Sequence, residues 1–274
     1  KRTTYLSSFK VKPQSKTAKI KITERKIKMK IIINGAEGRM GKALSEMIKK
    51  SEEHETAAFV DRTLKTAPEK KLYSALSEFS GEADVIVDFS NHAATPELTA
   101  YAVLHNLPLV IATTGQTDAE NKMIKEASEH IPIFLSYNMS LGIAFLADIA
   151  KRAAKMFPNA EIEIIETHHD QKLDVPSGTA LLLAEEIKKE RKASALVVGR
   201  HEQGKRTKDE IGIHSVRIGN VVGIHEVIIS TGTQTLTLKH EAHDRALFAE
   251  GALAAAGFIK GKIPGIYDMK DITR

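Results

Sequence analysis

The sequence predicts an α/β fold: a Rossmann-type, doubly wound parallel sheet joined to a second α+β domain with a mixed or antiparallel sheet. Three observations predict it. From Met29 to about residue 138, short apolar runs alternate with amphipathic stretches; a glycine-rich turn closes the first run; and beyond 138 the alternation gives way to long helices and strands of hairpin character.

The runs at residues 30–34, 56–60, 85–89, 108–113 and 133–136 are short and continuously apolar, as strands buried on both faces of a parallel sheet are. Helices are expected between them over 41–51, where Leu44, Met47 and Ile48 share a face, and over 94–105 and 118–130. Past 138 the pattern predicts a helix at 141–156, a strand at 161–166, a polar loop and a helix from 178 to about 191. Ile211, Ile213, Val216 and Ile218 lead into Gly219-Asn220 and then into 222–230; Thr231-Gly232-Thr233-Gln234 follows, and after it the alternating 235–239. These read as successive hairpins. The charged segment 201–209 reads as an exposed loop.

At 274 residues, 42% hydrophobic and 27% charged, the composition is that of a globular protein. No run approaches the roughly 20 apolar residues of a bilayer span, and a soluble chain is expected. Cysteine is absent, which removes disulfides and thiolate chemistry. The net charge of +5 is lopsided: residues 1–28 hold ten Lys/Arg against Glu24 alone, so the remaining chain carries −4. A nucleic-acid role would rest on those residues only. They are read as a non-native or disordered leader, with the native start at Met29, and no nucleic-acid partner is expected.

Ile31-Ile32-Ile33-Asn34-Gly35-Ala36-Glu37-Gly38-Arg39-Met40-Gly41 is a strand, a turn with three glycines and a helix start. Such a turn lets backbone approach a pyrophosphate while helix N-terminal amides favour the anion, so Gly35 through Gly41 are expected to bind a dinucleotide. Asp61, twenty residues past Gly41, can accept from adenosine ribose hydroxyls, and Arg62 can pair with a 2′-phosphate or stack on adenine. Use of NADH, NADPH or both is the expectation. Phe89, in Asp88-Phe89-Ser90, and Ala112, Thr113 and Thr114, before Gly115, fall at strand C-termini and are expected to touch the same cofactor.

The second cluster is Glu166-Thr167-His168-His169-Asp170-Gln171-Lys172-Leu173-Asp174-Val175-Pro176-Ser177-Gly178-Thr179-Ala180. Two histidines and a lysine supply proton donors and positive charge, while Ser177, Gly178 and Thr179 at a helix start supply amides and hydroxyls. This suits a small dianionic substrate. A metal reading of His-His-Asp lacks a second ligand set, and no metal is expected.

That segment and the Gly35–Gly41 turn resemble the 4-hydroxy-tetrahydrodipicolinate reductase family. The resemblance runs from about Met29 to the end, taking in Asp88-Phe89-Ser90, Thr113-Thr114-Gly115, Asn138-Met139-Ser140 with Gly142, Ser215-Val216-Arg217 with His225, and Tyr267-Asp268-Met269. Ala112 departs from it, since many members have glycine there. The resemblance implies NAD(P)H-dependent reduction of 4-hydroxy-tetrahydrodipicolinate to tetrahydrodipicolinate in diaminopimelate and lysine biosynthesis. It implies hydride transfer to substrate carbon 4, His168 as proton donor, Lys172 assisting and holding a carboxylate, and His169, Gly178 and Thr179 on the two carboxylates. Asn138 and Met139 join the cofactor residues. It further implies a cytoplasmic homotetramer built through the second domain's sheet. The first domain would comprise residues 29–138 and 245–274, and the substrate-binding and oligomerisation domain 139–244.

Overall fold

The computed structural model describes residues 28–273, so all of the expected leader except Lys28 lies outside the described residues. Eleven elements build the first layer system: β1 (Met29–Asn34), α1 (Arg39–Lys50), β2 (His54–Val60), β3 (Leu72–Tyr73), β4 (Val85–Asp88), α2 (Thr95–Leu104), β5 (Leu109–Ile111), α3 (Asp118–Ala127), β6 (Pro132–Leu135) and, from the far end of the chain, α6 (Ala246–Ile259) and β12 (Gly265–Tyr267). Their strands form one all-parallel sheet in the order β12-β6-β5-β4-β1-β2-β3.

Strand alternation explains why helices cover both faces. Ile31 and Ile33 point to one side, where Leu44 and Ile48 of α1 meet Ala252, Ala256 and Ile259 of α6 (Ala246–Ile259). Ile32 points to the other, against Leu98 and Ala102 of α2 and Ile124 of α3. The chain leaves β1 toward β2 and β3 on one side and continues from β4 on the other, which opens a crevice at the C-terminal ends of β1 and β4.

The second sheet has five strands, β7 (Glu161–His168), β8 (Ala195–Val198), β9 (Glu210–Arg217), β10 (Gly223–Ser230) and β11 (Thr235–Ala242), in the order β11-β10-β7-β9-β8. Helices α4 (Leu141–Met156) and α5 (Gly178–Glu190) cover the face that carries Ile162, Ile164, Ile211, Ile213, Val227 and Ile229. Ser140 and Ser177 cap them, accepting from the amides of Ile143 and Ala180. A short last helix, α7 (Met269–Thr273), packs on α4, and Lys270 pairs with Glu186 of α5 at 2.7 Å.

Two expectations fail here. β10 and β11 form a hairpin, but β9 and β10 do not: β7 inserts between them, pairing parallel to β9 and antiparallel to β10. Gly219-Asn220 is therefore a turn that carries the chain across β7 and not the apex of a hairpin, since β7 takes the sheet's centre. The strand read as 161–166 also runs on to His168, held by the registers Thr167↔Ile224 and His168↔Arg217. Its last residues are polar, so periodicity did not extend it. β8, β3 and β12 were not anticipated either; all are short edge or near-edge strands.

Candidate active site

The cofactor side of the site is made mainly of backbone. Gly35 has φ +81°, and a Cβ there would lie 2.7 Å from the Phe89 carbonyl, so turn and neighbouring loop touch main chain to main chain. At Gly41 a Cβ would meet the Gly35 carbonyl oxygen at 2.2 Å, which shows how tightly α1 is drawn onto the turn. Gly38 caps α1 without any side-chain hydrogen bond, leaving the helix start open to a ligand's negative charge.

A cleft of about 600 Å³ sits at this switch point, and Gly35, Glu37, Gly38, Asp61, Arg62 and Phe89 line it together. Asp61 accepts from the amides of Glu37 (3.1 Å) and Thr63 (3.0 Å) and from the Thr63 hydroxyl (2.7 Å). Partial burial would raise its carboxyl, but these bonds and the Arg62 charge outweigh it and hold the group below the usual range. Ser74, Ala75 and Asn91 form other parts of the wall; nothing in their local sequence marks them, since a loop after β3 brings the first two in. The residues present fit a dinucleotide: a cradle that any Cβ would fill, an uncapped helix start and an ionised carboxylate on the rim.

Other expected cofactor residues lie differently. Ala36 is buried and Ala112 half-buried, both packed with the core, and Met40 packs against it. Thr113 spends its hydroxyl on buried Asp88 (2.6 Å), which also accepts from Asn34 (2.8 Å), whereas Thr114 is exposed. Burial pushes the Asp88 carboxyl up despite these bonds. Met139 is core. Asn138 donates to the Thr179 hydroxyl at 3.0 Å, joining the end of the first sheet to the start of α5. Arg39 lines a separate cleft of about 570 Å³ that faces the second sheet, together with His169, Asp170, Asn220, His243 and Arg245.

The other side of the site is made of side chains. Glu166 and His168, two apart on β7, project from the same face, and Glu166 Oε2 lies 2.5 Å from His168 Nδ1. Arg217, beside His168 in register on β9, binds the Glu166 carboxylate with its two terminal guanidinium nitrogens (2.9 and 2.8 Å), and the Ser177 amide adds a fourth bond at 3.1 Å. Burial would raise the Glu166 carboxyl, yet these donors hold it down to about 2. His168 is pushed below its ordinary value by burial and by the Lys172 and Arg217 cations, with Glu166 opposing. His225 packs edge-on to His168, ring centroids 5.1 Å apart, with its Nε2 3.3 Å from the Ser177 hydroxyl. Burial, then the His168 charge, take His225 down to about 3.

His168 is thus the last residue of a strand, not part of the loop, while Lys172 stands in the loop and pairs with Asp174 at 2.8 Å. Gly178 is exposed, with open space where its side chain would be, and Thr179 is half-buried beside it. Glu166, Arg217 and His225 lie within the resembling motifs, but spacing assigned them no role, because only sheet register brings them together.

Family models described as dihydrodipicolinate reductase, N-terminus and C-terminus, match residues 29–139 and 142–273. The chain belongs to the dihydrodipicolinate reductase family. It is 44% identical over 249 residues to the 4-hydroxy-tetrahydrodipicolinate reductase of Caldanaerobacter subterraneus subsp. tengcongensis, covering 90% of this chain and 98% of that protein. The enzyme of the same name from Clostridium novyi is 40% identical, over 89% and 98%. Among solved structures, a dipicolinate-bound dihydrodipicolinate reductase from Paenisporosarcina sp. TG-14 matches with a TM-score of 0.76 at 26% identity, covering 88% of this chain and 98% of that one. As a member of this reductase family the chain is an oxidoreductase that uses NAD(P)H. Among the described residues no helix is long and apolar enough to cross a membrane.

Proposed function

We propose that the chain reduces 4-hydroxy-tetrahydrodipicolinate to tetrahydrodipicolinate, with Gly35–Gly41, Asp61, Arg62, Phe89, Ala112–Thr114, Asn138 and Met139 forming the cofactor side. His168, His169, Lys172, Ser177, Gly178 and Thr179 form the substrate side. The observation that carries the reading is the pairing of a backbone-lined dinucleotide crevice with a buried histidine backed by a carboxylate. NAD(P)H supplies the hydride when bound. The chain's own residues hold the ring and manage one proton. The helix start at Gly178 and Thr179, with the His169 ring and the Lys172 cation, offers hydrogen-bond donors and positive charge to two carboxylates, so the ring is fixed by charge and position rather than by covalent capture.

His168 holds its proton loosely, because burial together with the Lys172 and Arg217 cations outweighs the Glu166 carboxylate. A dianionic substrate reverses that balance, because negative charge nearby favours the imidazolium. Proton supply at His168 Nε2 is thereby tied to the presence of substrate, and Lys172, released from exposed Asp174, turns to a carboxylate.

We place the domains at 29–138 with 245–274 and at 139–244, which follows the return of α6 and β12 to the first sheet. A cytoplasmic homotetramer formed through the second sheet is part of the proposal; α4 and α5 cover one face of that sheet, and the other carries Glu163, Ile165, Val216 and Ile228. The test is oxidation of NADH and NADPH with substrate generated enzymatically, alongside light scattering for assembly. Absence of substrate-dependent oxidation with both cofactors sinks the assignment.

A further inference from the structure

We infer that Glu166 is a positioning residue for the proposed reduction: clamped by Arg217 and the Ser177 amide, it fixes His168 as the Nδ1–H tautomer and presents Nε2 to the space beside Gly223. The inference rests on the functional reading above but has a readout of its own.

Four facts support it. β7 carries Ile162 and Ile164 on the face under α5, and the next residues on that face are Glu166 and His168, so a full carboxylate replaces the apolar series with no exposure at all. An ion there is costly unless all its acceptors are used. Both oxygens are used: Oε1 by Arg217 and the Ser177 amide, Oε2 by Arg217 and His168. An ionised carboxylate only accepts, so the bond to His168 must come from Nδ1–H, and Nε2 of the neutral ring is the free site for a proton.

The geometry around Nε2 agrees. A Cβ at residue 223 would sit 3.1 Å from that nitrogen, so the glycine keeps the approach to Nε2 clear. Arg217 also donates to the Asp174 carbonyl (2.7 Å), tying the Lys172 loop to the same clamp. Glu166 carries charge that Arg217 neutralises, so its main effect on His168 is orientation and tautomer.

The charged and titratable groups facing His168 are Glu166 on its own strand, Arg217 on β9, His225 on β10, and Lys172 in the loop. Glu166→Gln removes the charge while keeping the size; its amide NH2 can face Nδ1 and reverse the tautomer. The expected result is a fall in kcat of about 100-fold or more, an unchanged Kd for NADH, a KM for substrate within about threefold, and a displaced His168 limb in the pH profile of kcat. Glu166→Asp, which keeps the carboxylate, restores part of the rate.

The tautomer itself is read from ¹⁵N spectra of histidine-labelled wild-type protein, with His168→Gln assigning the resonance. An Nε2–H tautomer in the wild type overturns the inference whatever the variants do, including a Glu166→Gln that does not fold. So does a folded Glu166→Gln with kcat within threefold and an unmoved pH profile. If the wild type fails to reduce the substrate, the functional reading fails while the spectrum still decides the positioning claim.

Discussion

The two halves of the site are built from different materials. The half proposed for the cofactor is main chain against main chain: Gly35 to Gly41 form one short turn, and the backbone after β4 closes on it. The half proposed to handle the proton gathers Glu166 and His168 from β7, Ser177 from a helix cap, Arg217 from β9, and Gly223 and His225 from β10, across almost sixty residues. A backbone-built site leaves its mark as spacing, because glycine must occur where no Cβ fits. A side-chain-built site leaves its mark only as residue types, and the sheet decides which of them meet.

The contrast can be broken most directly at His168. His168→Gln should lower kcat by roughly 100- to 10,000-fold, the range for losing a general acid, with NADH binding by calorimetry left intact. Loss of cofactor binding in that variant would show that the halves are not separable.

The mirror experiment is Gly41→Ala. A methyl group would have to lie 2.2 Å from the Gly35 carbonyl oxygen and 2.7 Å from the Ala36 Cα, atoms that cannot swing away. Overpacking of this kind costs about 1–3 kcal/mol or more, so NADH affinity should fall on the order of 100-fold, with a lower Tm. Gly38→Ala, whose Cβ meets Gly35 oxygen at 3.2 Å, should do much less. Equal losses in the two variants would mean that crowding of the turn is not what binds.

Acid should loosen the side-chain half first. The folded protein resists protonating His225 until about pH 3, whereas the unfolded chain takes that proton near the ordinary histidine value of 6.5. Protons therefore favour unfolding over that window, and stability falls as pH drops through it. At pH 5 the loss from this group is on the order of 1–2 kcal/mol. Glu166, held near 2, has the opposite origin but the same sign at lower pH: its contribution persists above about 4.5 and goes only as pH falls toward 2. Urea unfolding at pH 7 and pH 5 should show a smaller difference for His225→Asn than for wild type, and an identical difference would discount His225.

The smallest effects belong to the cleft rim. Asp61→Ala should weaken NADH more than NADPH, and Arg62→Ala the reverse, each by about tenfold, the size of one charge-assisted hydrogen bond at a partly exposed position. Michaelis constants that move together for both cofactors would show that neither side chain reads the ribose.

From the order of residues alone came the strand-and-helix alternation of the first sheet, the glycine turn, the acid at the end of β2 and the run from His168 to Thr179, since each is written as a pattern within a short stretch of chain. Tertiary structure alone decided that β7 lies between β9 and β10, that β12 returns to the edge of the first sheet, and that His168 belongs to a strand. It also decided that Glu166 meets Arg217, fifty-one residues away. No local pattern encodes that meeting: it depends on which strand takes the centre of the sheet and in what register, and those are settled by burying the apolar face of the whole layer under α4 and α5.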